Sequence, residues 1–74
     1  MSYNYNKLRG KIVEKYGTQG KFAAELGVSE RTLSLKLNGA IYFKQDEITK
    51  ASNLLGISDN EIMLYFFNQE VQLN

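Results

Sequence analysis

The stretch from Gly27 to Gly39, GVSERTLSLKLNG, decides the fold. It opens on Gly27-Val28-Ser29, runs through one helix's worth of residues and closes on Asn38-Gly39. Ser29 is an N-cap residue by type, because its hydroxyl can accept from the unpaired backbone N–H groups of a helix's first turn. Leu33 and Leu37, four apart, share one face of the helix that follows. Upstream, Thr18 stands where another N-cap belongs, and Phe22, Ala23 and Leu26 give a second short helix a buried stripe before Gly27 ends it. Gly27 tolerates the positive φ that a tight joint needs, Ala23 is small enough for a close helix crossing, and Val28 plugs the turn. Two short helices joined in this way are a helix-turn-helix, whose second helix enters a DNA major groove with its N-terminal residues leading.

The remaining chain reads as three more helices. Tyr5, Leu8, Ile12 and Tyr16 recur at helical spacing before Gly17 stops the run. Ala40-Ile41-Tyr42-Phe43 is short and apolar, has no partner strand, and is expected to be a loop packed on the core. A fourth helix is expected from about Lys44 to Leu55, with Ile48, Ala51, Leu54 and Leu55 inward and Asp46 and Glu47 at the positive end of its dipole. Gly56-Ile57 breaks it, and Ser58-Asp59-Asn60-Glu61 is a capping box that starts a fifth helix running to about Phe67. The tail from Asn68 to Asn74 is expected to fray or to adhere to a partner chain. The expectation is a single all-α domain over residues 1–74.

Composition removes whole classes of function. There is no cysteine and no histidine, so disulfides, zinc sites and most nucleophile–base arrangements have no members. The carboxylates fall at helical spacings that suit solvated faces and caps. No enzyme activity, metal or cofactor is expected. The longest apolar run, Ile62 to Phe67, is too short to span a bilayer, and the N-terminus lacks a signal peptide's apolar segment. Neither a membrane nor a small-molecule ligand is expected. Charge is unevenly divided: residues 1–45 carry eight basic against three acidic residues, +5, and residues 46–74 carry one against five, −4. That suits a polyanion-binding face on an acidic body, and it also lies within the ordinary scatter of a small domain.

The ordered run from Thr18 to Gly39 resembles the helix-turn-helix of the phage lambda repressor and Cro type, the XRE family. Gln19 matches the glutamine that opens the motif, Ala23 its small residue, Gly27-Val28-Ser29 its turn and Leu33 its buried position. Lys7-Leu8-Arg9-Gly10-Lys11, the stretch after Leu33, Phe43 with Glu47-Ile48, and Tyr65-Phe66-Phe67 are similar to short phage and prophage regulators of Gram-positive bacteria, so the resemblance covers nearly the whole chain. It implies a compact five-helix lambda-repressor-like domain that binds double-stranded DNA in the cytoplasm of a bacterial host. The function implied is a Cro-like transcription regulator, a repressor acting by operator occupancy as a homodimer on a palindromic site. The other reading is a protein-interaction module on the same fold, antirepressor-like or antitoxin-like. One departure bears on the roll of the recognition helix: three residues after Leu33 the family buries an aliphatic side chain, and here Lys36 stands, with Leu37 expected to take over the packing.

On the exposed side of the recognition helix the expected base contacts are Glu30, Arg31, Ser34, Leu35 and Asn38. Arg31 suits a bidentate contact with guanine, and Glu30 either accepts from a cytosine amino group or favours the positive start of the helix. Leu35 either touches a thymine methyl or is core, leaving Lys36 to point outward. Thr18, Gln19, Lys21, Ser29, Lys36 and Lys44 are the expected phosphate contacts, the first two at a helix N-terminus that suits an anion. Tyr42 is expected in the core, and Lys7, Arg9, Lys11 and Lys15 contribute to the field rather than as contacts. Three consecutive aromatics cannot all face inward from one helix, so Tyr65, Phe66 and Phe67 are the expected dimer interface, with the tail to Leu73 adding to it.

Overall fold

Each helix starts and stops where a specific side chain or glycine satisfies the backbone. The structure, a computed structural model, describes residues 3–69. It has α1 at Asn6–Tyr16, α2 at Gln19–Leu26, α3 at Glu30–Leu37, α4 at Gln45–Leu55 and α5 at Ile62–Phe66, with a 3-10 turn at Asp59–Glu61 leading into α5. The all-α, five-helix expectation is borne out. Thr18 Oγ1 accepts from the Lys21 N–H at 3.2 Å, and Ser29 Oγ accepts from the Thr32 N–H at 3.0 Å. Ser58 donates both its backbone N–H and its hydroxyl to the Glu61 carboxylate. Gly27 takes φ +89°, in the left-handed region, so α2 ends and α3 begins within three residues.

The core forms where α2 packs against α1, α3 and α4. Phe22, Leu33, Ile12, Leu8, Leu55 and Phe66 are its largest fully buried side chains. Phe43 inserts edge-on between Tyr5 and Phe66, with ring centroids 5.4 Å apart in both pairs. Tyr3 and Gln69 form one antiparallel bridge, and the Asn4 N–H donates to the Asn68 carbonyl at 2.6 Å, so the start of the tail is tied to the N-terminal segment. Leu73 lies outside the described residues. Among those described, no helix is long and apolar enough to cross a membrane.

Two expectations about the core are corrected. Tyr65 and Phe66 are not an outward interface: both are buried, and Lys7 Nζ stands 5.3 Å from the centre of the Tyr65 ring. Short α5 turns two successive aromatics inward and leaves Met63, Leu64 and Phe67 at the surface, where Tyr3 meets Phe67 edge-on at 5.7 Å. Tyr42, in turn, is not core but 81% exposed. Its carbonyl is turned inward as a hydrogen-bond acceptor, which directs its side chain to solvent.

The buried faces make two opposite stability predictions. Leu33→Ala should cost about 2–5 kcal/mol, a large part of what a small domain possesses. Ser52 lies buried in α4 with no partner for its hydroxyl. Ser52→Ala removes that unsatisfied group and improves helix propensity, so it should stabilise by about 0.5–1 kcal/mol. Urea unfolding of the two variants should move the midpoint in opposite directions; a destabilised Ser52→Ala would show that the hydroxyl has a partner.

Candidate functional site

The exposed face of α3 is set by the side chain that does not appear on it. Lys36 is 3% exposed. Its Nζ lies 2.8 Å from Glu47 Oε1, donates to the Tyr42 carbonyl at 2.9 Å and stands 5.8 Å from the centre of the Phe43 ring. The same Glu47 oxygen accepts from the Lys44 N–H at 2.9 Å, which caps α4. Lys44 cannot complete a reciprocal capping box, because its ammonium has no acceptor. Expected as a phosphate contact, Lys36 is instead an internal cation: partial burial would cost a charge dearly, and three neighbours compensate it. Burial pushes the Glu47 carboxyl up, but the hydrogen bonds from Lys36 and the Lys44 backbone, together with both lysine charges, outweigh it and hold the group below its ordinary value.

With Lys36 inside, Leu35 is outside, 37% exposed. The Ala40 and Ile41 N–H groups both donate to the Leu35 carbonyl, at 2.9 and 3.4 Å, which folds the following loop back against α3. Leu35, Ile41 and Tyr42 are therefore exposed apolar side chains around the C-terminal end of α3. Glu30 and Arg31 are exposed at its N-terminal end.

The other residues expected at DNA have mixed placements. Ser34 is half-buried, and its hydroxyl donates to Gln19 Oε1 at 3.4 Å. Thr18 and Ser29 are exposed but are engaged as helix caps. Asn38 is exposed, and its side-chain oxygen accepts from Arg9, which also donates to the Leu37 carbonyl at 3.0 Å. Arg9, expected to act only through its field, thus closes the C-terminal end of α3 from α1. Twenty-eight residues of separation hid that contact. Lys21 and Lys44 stay exposed. Across residues 18–44 the exposed charges are Lys21, Arg31 and Lys44 against Glu25 and Glu30, a net +1. Of the cations in this stretch, Lys36 is the one withdrawn from the surface.

The chain belongs to the family described as "Protein of unknown function (DUF739)", whose model matches residues 1–69. It is similar to the solution structure of the modulator of repression (MOR) of the temperate bacteriophage TP901-1 from Lactococcus lactis. The two are 53% identical over 97% of each chain, with a TM-score of 0.79. No curated protein matches the chain. The XRE membership expected from the motif is not confirmed by these comparisons.

Removing the two partners of the ion pair should have unequal consequences. Glu47→Gln leaves a buried ammonium with a carbonyl and a ring face, and should cost on the order of 2–3 kcal/mol, below the roughly 3–5 of a fully buried pair. Lys36→Met leaves a carboxylate that still holds the Lys44 N–H, fills the space with an unbranched apolar chain, and should cost less. The folded Glu47 carboxyl is depressed, so its stabilisation is present above its unfolded value and is lost as pH falls below about 4.5 through the folded value. Acid unfolding should therefore be shallower in Glu47→Gln than in the wild type; equal slopes would show that Glu47 is not paired.

Proposed function

We propose that this member of the DUF739 family is a small phage-type regulator of repression that acts through a protein contact made by the α3 face, rather than by occupying an operator on its own. The observation that carries this reading is the inward Lys36 beside the outward Leu35, Ile41 and Tyr42. Duplex affinity comes chiefly from cations that neutralise phosphates, and this end of the helix offers apolar side chains instead. Protein interfaces are centred on such aromatic and aliphatic anchors, and Arg31 nearby is a residue type enriched in them. The similarity to a phage modulator of repression supports the regulatory role. A helix-turn-helix shape does not by itself specify nucleic acid.

Direct operator binding is the second reading, favoured by the exposed Arg31 at the head of α3. A homodimer belongs with it as a proposal, and would use the exposed Met63, Leu64 and Phe67 in place of the buried aromatics.

The test is electrophoretic mobility of labelled operator with the repressor of phage TP901-1, with and without the chain. At physiological salt the chain alone should leave the operator unshifted, yet should change the fraction bound by repressor. Leu35→Asp and Tyr42→Asp should each weaken that effect about thirtyfold, as loss of a central anchor does, with unchanged melting temperatures. A sequence-specific shift by the chain alone, lost in Arg31→Ala, would support operator binding and contradict the protein-contact reading.

A further inference from the structure

We infer that Glu30 is a specificity-determining anion: its exposed carboxylate lies beside the head of α2, where a phosphate would approach, and so turns this helix-turn-helix away from the DNA backbone. The inference rests on the protein-contact reading above and names the residue that enforces it. Gly20, the second residue of α2, gives the first observation. It lies inside a helix without positive φ, where glycine is less favourable than alanine and backbone freedom is not needed. A methyl group at Gly20 would lie 3.2 Å from Glu30 Oε1, 3.4 Å from its Cδ and 3.7 Å from Oε2. The missing side chain lets the carboxylate sit a few tenths of an ångström closer to α2 than a methyl group would allow.

The surrounding contacts agree. The Lys21 N–H already donates to Thr18 Oγ1, while the N–H groups of Gln19 and Gly20, in the same first turn, have no acceptor within the helix. The Gln19 carboxamide is drawn to the same neighbour, accepting from Ser34 of α3. Glu30 stands in the first turn of α3, so one carboxylate lies near the positive ends of two helices. A phosphate oxygen approaching the head of α2 would meet this negative charge at close range.

The test measures fluorescence anisotropy of a labelled, mixed-sequence duplex across a salt series with the full chain. Wild type is compared with Glu30→Gln, Gly20→Ala and the control Glu25→Gln, which removes an exposed glutamate from α2. Gly20→Ala keeps the net charge and moves the carboxylate by only a few tenths of an ångström, so it controls for local packing. Glu30→Gln should bind on the order of tenfold more tightly at low salt, with a slope of log affinity against log salt steeper by about 0.9 for each phosphate gained, whereas Gly20→Ala should change affinity less than about twofold. Glu25→Gln should change affinity less than about twofold. With the wild type inert towards duplex, no gain in Glu30→Gln, or equal gains in Glu30→Gln and Glu25→Gln, would overturn the role of Glu30 alone. Tight, salt-dependent duplex binding by the wild type would overturn the reading on which it rests.

Discussion

The contact between Lys36 and Glu47 is the constraint on which the exposed face of α3 depends. An ammonium inside so small a domain must be met by negative charge and acceptors, and it collects them from three directions: the Glu47 carboxylate, the Tyr42 carbonyl and the Phe43 ring. Each attachment has a structural consequence. Glu47 ties α3 to the cap of α4 through one oxygen shared between Lys36 and the Lys44 N–H. The inward Tyr42 carbonyl throws its phenol outward, while Phe43 enters the aromatic cluster with Tyr5 and Phe66. A buried ion pair is a weak source of net stability, but it is selective about geometry, because a shifted register leaves a charge uncompensated.

Once the roll of α3 is fixed, so is its chemistry. Leu35 comes out as Lys36 goes in, and the loop that folds back beneath it brings Ile41 and Tyr42 to the same end of the helix. Of the motif's cations, Lys36 is withdrawn from the surface, while Lys21 and Arg31 stay exposed. Arg9 holds the Leu37 carbonyl and the Asn38 side chain, and the Glu30 carboxylate lies over the first turn of α2. The scaffold is that of a helix-turn-helix, and the C-terminal end of α3 turns apolar side chains outward.

Most of the fold was legible because it rests on local rules. The caps Thr18, Ser29 and Ser58 and the turn at Gly27 are decided by neighbours a few residues away, and the leucine spacing of Leu33 and Leu37 declares a buried face. The site was less legible because it rests on contacts between distant residues. A lysine reads as solvated unless its partner is known, and Glu47 already had a sufficient local explanation as a helix-capping acid. The departure of Lys36 from an aliphatic position was the available signal, and its resolution required α4. Tyr65, Phe66 and Phe67 carried the converse lesson: three aromatics in a row do overfill one helix face, yet only Phe67 with Met63 and Leu64 is left outside.

The account depends most directly on where the Lys36 ammonium lies, and NMR of lysine side-chain nitrogens reports this without mutation. The Lys36 NH3 protons should exchange slowly enough with water to be observed when those of exposed Lys21 and Lys44 are not, and their signal should be unchanged by added duplex DNA. A Lys36 ammonium that exchanges as fast as Lys21, or that shifts when duplex is added, would place it at the surface and contradict the assignment of the α3 face.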